Sequence, residues 1–227
     1  MDDIIVESKT IALVINQKHY LYNRIELPKE FLNWQSTARL NAFQMMADFN
    51  SEKVRTMPAH LPVLATFGTG DFPVNLTSRG IGLLPKEEFI LPLCELIEKT
   101  ISESKGQPWQ DTLPKRLAAI QSFYEKPDRF NSQMLGGLEI FEGQTVENLK
   151  NNPKATLLYS GEAPKFPSYQ MNGIMRFIYP GDIYFRFLLA ARELFANDAF
   201  HIHQVRYPFG YLFYPTEIKN KTPFPRR

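Results

Sequence analysis

The chain has 227 residues, 44% of them hydrophobic and 22% charged, with a formal net charge of +2. This is the composition of an ordinary soluble globular protein, and nothing in it argues for nucleic acid, whose binding usually needs a concentrated basic face. A single cysteine, Cys94, excludes an intrachain disulfide and a cysteine zinc cluster. The start is acidic (Asp2, Asp3), and Ile4 to Val6 is its only apolar run. No signal peptide or membrane span is therefore visible, which favours the cytoplasm.

In chain order, Lys9 to Leu27 reads as a hairpin turning at Asn16-Gln17-Lys18. Pro28 opens a helix whose apolar stripe is Phe31, Trp34, Ala38, Ala42, Met45 and Phe49, and Asn50-Ser51 ends it. Residues 1–60 thus form an N-terminal hairpin and helix. A polar connection holding His60 follows, then a second hairpin: Val63 to Phe67, a turn at Gly68 to Asp71, and a return strand from Phe72 to Leu84. Residues 85–130 read as two helices, about Glu87 to Glu103 and Leu113 to Lys126, around the loop Ser104 to Pro108.

Leu138 to Gly161 reads as strand, turn, short helix, stop, strand. The apolar run Leu138, Ile140, Phe141 ends at Glu142-Gly143, and Thr145 is placed to cap the helix with its hydroxyl. Val146 and Leu149 share one face, and Asn152-Pro153 stops the helix before a strand from Ala155 to Tyr159. So short a helix must be pinned between strands, and its N-terminus turns unpaired amides towards Glu142 to Thr145, a geometry suited to an anion. Tyr169 to Tyr179 alternates as a strand, and Asp182 is a natural N-cap for a helix buried through Ile183, Phe187, Leu188, Ala191, Leu194 and Phe195. His201 to Gln204 and Gly210 to Ile218 read as closing strands, and the cationic Lys219 to Arg227 as a solvated tail.

No Gly-rich phosphate loop and no Gly-x-Ser-x-Gly elbow occurs in the chain. His201 and His203 point to one face if extended, which allows a metal pair, but no third or fourth ligand lies near them in sequence.

The order of elements over Glu142 to Tyr159, with the hairpin LATFGTGDFPVNLTSRGIGLL, resembles the FMN-binding split barrel of the pyridoxamine-phosphate-oxidase-like superfamily, as a divergent member. The resemblance implies an α+β fold: one antiparallel split β-barrel domain over residues 1–227, with flanking helices and an inserted helical hairpin. It implies FMN, with phosphate near Thr77, Ser78 and Arg79 and near Gln144, Thr145 and Asn148, and a homodimer with the pocket between subunits. The oxidases carry an Arg-Lys pair where this chain has Gln144 and Thr145, which donate hydrogen bonds but bring no charge. An FMN-dependent oxidoreductase acting on a small molecule is the first expectation, with no catalytic side chain specified by sequence. A haem- or tetrapyrrole-binding barrel using His201 and His203 is an alternative, since some split-barrel relatives bind haem through histidine. A non-enzymatic dimeric scaffold, with the helical insertion as partner-binding element, is another.

Overall fold

The computed structural model describes residues 4–47, 59–162, 165–196, 204 and 206–223. In chain order the elements are β1 (Ile4–Val6), β2 (Thr10–Ile15), β3 (Lys18–Asn23), α1 (Lys29–Ala47), β4 (Val63–Phe67), β5 (Val74–Ser78), β6 (Gly82–Pro85), α2 (Glu87–Glu103), α3 (Trp109–Tyr124), β7 (Phe130–Leu138), α4 (Gln144–Asn151), β8 (Lys154–Ser160), β9 (Ser168–Ile178), α5 (Ile183–Glu193) and β10 (Gly210–Asn220). A single 3-10 turn, Pro127–Arg129, leads into β7. The fold is α+β, with all strand pairs antiparallel.

The large sheet runs β5-β4-β8-β9-β10-β7-β6, so its two edge strands are consecutive in the chain. That order forces curvature. A flat sheet of this width sets its edges roughly 29 Å apart, whereas the link from Ser78 to Gly82 reaches at most about 14 Å. The sheet therefore rolls up and stays split between β5 and β6. Closure is visible in the contacts: Tyr159 Oη on β8 donates to the carbonyl of Ile81, just before β6, at 2.9 Å. A Cβ on Gly137 of β7 would collide with the carbonyl of Gly80, so only glycine lets these backbones meet.

Leu64, Leu157, Tyr159, Met171, Met175, Phe213 and Leu135 fill the barrel. From α1, Phe31 packs edge-on against Tyr159 and Tyr169, with ring centres 5.0 and 5.3 Å apart. The helical pair α2 and α3 packs with α5, and α5 with β7; Arg186 grips Glu98 with two bonds of 2.7 and 2.6 Å.

Several boundaries depart from the sequence expectation. The return strand expected over Phe72 to Leu84 is two strands, because Arg79 to Ile81 leaves the sheet edge to bond Pro62 and His60 carbonyls. The strand expected to end at Phe141 ends at Leu138, because the Glu139 carboxylate folds back onto the amides of Ile140 and Phe141 at 2.9 and 2.8 Å. Thr145 does not cap α4; the N-cap is Gly143, two residues earlier, and Thr145 is buried inside the first turn. The first helix buries Phe31, Leu32, Gln35, Ser36 and Phe43 rather than the stripe through Ala42 and Met45. Asp182 does cap α5, accepting from Tyr184 N at 2.8 Å. His201, His203 and the expected end of the first helix lie outside the described residues.

Candidate functional site

Strand β5 alternates. Asn75 and Thr77 stand opposite the buried Thr66 and Leu64 of β4 and so face inward, with Arg79 following on the same side. Val74, Leu76 and Ser78 face outward and are exposed, which takes the Ser78 side chain away from Thr77 and Arg79.

The inward residues make two clusters. At one, Arg79 lies 3.3 Å from a carboxylate oxygen of Glu139, donates to Thr77 Oγ1 at 2.7 Å, and reaches the carbonyls of Ser78 at 3.2 Å and Phe141 at 3.4 Å. The Glu139 side chain is fully buried. It also accepts from the Tyr211 hydroxyl and from the two backbone amides that follow it. Burial and the adjoining carboxylate push the Tyr211 hydroxyl far above the usual tyrosine range.

At the other, Asn75 Nδ2 donates to Thr145 Oγ1 at 3.0 Å and to Thr66 Oγ1 at 3.4 Å. Asn148 Nδ2 donates to the same Thr66 hydroxyl at 3.2 Å, and Gln144 Nε2 donates to Asn148 Oδ1 at 2.8 Å. Gly68 lets β4 run against α4: a Cβ there would lie 2.8 Å from Asn148 Oδ1. The amides of Gln144 and Thr145 precede the first intrahelical bond, which Val146 N makes to Gly143 O at 2.9 Å. Beside them Gly143 faces open space, with nothing within 4 Å of an added Cβ.

Asn75 and Arg79 are about 13 Å apart along the strand, and the connection from Glu139 to Thr145 runs between their clusters. Arg79 thus joins Thr77 to Glu139, while Gln144 meets Asn148, Asn75 meets Thr145, and Asn75 and Asn148 share the Thr66 hydroxyl. Sequence reading missed Glu139, Tyr211, Asn75 and Thr66. Only the alternation of Asn75 with Thr77 was available as a signal; the others meet the site through the rolled sheet. A shallow cavity of about 390 Å³ lies elsewhere, on the N-terminal sheet among Ile5, Ala12, Val14, His19 and Leu21. Among the described residues no cluster of three or more metal-ligating side chains occurs, and no helix is long and apolar enough to cross a membrane.

A flavin phosphate placed here would meet a donor set with little net charge. The one arginine is neutralised by a buried carboxylate, and α4 offers amides, an exposed glutamine and a threonine hydroxyl. These residues fit a phosphate held by neutral donors and a helix N-terminus, not one held by a cationic pair.

No protein-family model and no curated protein matches the chain. Solved structures align at low identity. An FMN-binding protein from Syntrophomonas wolfei is 10% identical over 86% of this chain and 95% of that one, with a TM-score of 0.42. Group A Streptococcus HupZ is 13% identical over 78% and 92%, with a TM-score of 0.40. A Listeria innocua protein named for pyridoxamine 5'-phosphate oxidase is 11% identical over 81% and 98%, with a TM-score of 0.39. The strand order and the closure contacts at Ile81 and Gly137 define the split barrel.

Proposed function

We propose that the chain is a flavin-binding split barrel that acts as a homodimer, taking the phosphate of FMN at the N-terminus of α4. The observation that carries this reading is the meeting of β5 with the α4 turn: Asn75 reaches Thr145, and Arg79 reaches both Glu139 and the Phe141 carbonyl. Gln144 and Thr145 would hold the phosphate through their backbone amides and side chains. Asn148 and Asn75 fix those two residues. Arg79, with Thr77 and Glu139, holds the turn that leads into the helix. A bound flavin supplies hydride chemistry, and the protein's part is orientation and exclusion of water.

A second copy has a contact face available on the other side of the same strands. The outer face of β5, β4 and β8 carries Val74, Leu76, Val63 and Leu158, all exposed, on adjacent strands. An exposed group of apolar side chains of that kind marks a protein contact. The reading as an oxidoreductase follows from the cofactor, and the haem alternative has its histidines outside the described residues.

The test is a titration of purified protein with FMN, followed by quenching of flavin fluorescence, beside sedimentation of the free and loaded protein. Saturable quenching in a dimer supports the reading. A protein that leaves FMN fluorescence untouched and sediments as a monomer overturns it.

A further inference from the structure

Three cations gather on the outer face of the barrel, under the N-terminal sheet. Lys154, Ile174 and Tyr214 stand side by side across β8, β9 and β10, and Arg176 lies two residues along β9 on the same face. Arg24, just past β3, comes down from the other sheet. Lys154 Nζ lies 3.6 Å from the ring centre of Tyr20 and 5.8 Å from that of Tyr22. The guanidinium carbons of Arg24 and Arg176 lie 5.3 and 5.9 Å from the centre of one buried ring, Tyr214.

Carboxylates do not account for this gathering. Among the described residues none of the three cations makes an ion pair. Arg24 Nη1 donates to the neutral carbonyls of Glu7 at 2.7 Å and Ser8 at 3.4 Å. The Nε atoms of Arg24 and Arg176 are buried without an acceptor. Asp182, the acid whose field reaches Tyr214, already caps α5. Tyrosine faces offset part of the mutual repulsion of like charges, and Arg176 bonds the Tyr214 side chain, but each cation is half-buried and the two arginine Nε donors remain unplaced. Two arginine forks and an ammonium match an oxyanion with several acceptor oxygens.

We propose that Arg24, Arg176 and Lys154 form a binding site for a phosphate-bearing small molecule, walled by Tyr20, Tyr22 and Tyr214. The site is on the opposite side of the sheet from the β5–α4 clusters and stands independently of the flavin reading. Occupancy ties the N-terminal sheet to the barrel, because Arg24 belongs to one and Arg176 and Lys154 to the other.

Thermal melting of the full chain in inorganic phosphate or pyrophosphate, against chloride at equal ionic strength, tests this. A ligand at ten times its Kd raises the midpoint by about 3 °C in a chain of this size. The double variant Arg24→Gln/Arg176→Gln is expected to lose that rise, Lys154→Gln to reduce it, and Lys99→Gln, exposed on α2, to keep it. Where the double variant does not fold, Arg24→Lys and Arg176→Lys keep the charge and remove the fork. Phosphorus NMR line broadening should then show several-fold weaker phosphate binding. No rise in the unaltered protein, an equal rise in the double variant, or unchanged binding in both lysine variants overturns the proposal.

Discussion

Arg79 and Glu139 are 60 residues apart in the chain and 3.3 Å apart in space. They join the end of β5 to the turn that leads into α4, beside the Asn75–Thr145 bond that ties the same strand to the helix. The carboxylate is fully buried and the guanidinium nearly so. Removing one partner of such a pair leaves an uncompensated charge away from water.

Arg79→Ala is therefore expected to destabilise the fold by about 3 kcal/mol, read from chemical denaturation midpoints. Adding Glu139→Gln should recover part of the loss, since the stranded charge is then gone. A cost below about 1 kcal/mol would place the pair among ordinary surface bridges. The same variant should weaken FMN binding through the displaced turn. Lys150→Ala should not, because Lys150 is exposed and, among the described residues, pairs with Glu147 at 2.8 Å. Equal FMN affinities in the two variants would remove Arg79 from the site.

Burial raises the hydroxyls of Tyr159, Tyr211 and Tyr214, and pushes Tyr184 up to about 12. A tyrosine whose folded value is raised keeps its proton in the native state while the unfolded chain loses it near pH 10. Its stabilising contribution is complete below pH 10 and falls as pH rises towards the folded value. Stability should decline above pH 10 by about 1.4 kcal/mol per pH unit for each such tyrosine. Ultraviolet titration should show the corresponding tyrosinate absorbance appearing only together with unfolding. Ionisation of all ten tyrosines near pH 10 in a still-folded chain would contradict it.

Gly137→Ala should cost more than 2 kcal/mol, roughly, since the added methyl meets the Gly80 backbone and the barrel's split cannot open without breaking the β7 pairing. Gly143→Ala is the control. Its backbone is extended (φ −172°) and its surroundings are open, so the effect should be about 0.5–1 kcal/mol, that of a poorer N-cap. Calorimetric melting of both variants checks the ranking, and similar midpoints would refute the closure contact.

Local signals carried much of this fold. Glu87 to Glu103 is the helix its apolar spacing describes, Asp182 caps as its side chain dictates, and Asn152-Pro153 stops α4 where proline must. The failures have a common cause. Phe130 to Gly137 contains Asn131, Ser132, Gln133 and two glycines and does not read as a strand, yet it pairs on both sides, with β6 and β10. The glycines there permit the close backbone approach that rolling the sheet requires. Of the candidate residues, Thr77 on β5 and Arg79 just past its end are close in sequence, and Gln144 and Thr145 share the first turn of α4. Glu139 was not legible, because its partners are Tyr211, 72 residues later, and Arg79, 60 earlier. A buried carboxylate is recognisable only once the chain that surrounds it is in place.

The exposed Gln144 offers the most direct chemical test of the site. Its amide donates to Asn148 Oδ1 from the first turn of α4, beside the open space at Gly143. Gln144→Arg places a charged fork where a neutral donor stands, without entering the core. Charge-assisted bonds are about twice as strong as neutral ones, so FMN affinity should rise by about tenfold. The gain should shrink as salt is added, because the new attraction is between charges at the surface. Riboflavin, which has no phosphate, should gain nothing from the substitution. The buried Thr145 is no place for the companion lysine, so the single variant is the informative one. Parallel fluorescence titrations with FMN and riboflavin read the difference. An equal change for both ligands would mean that the phosphate does not rest at the start of α4.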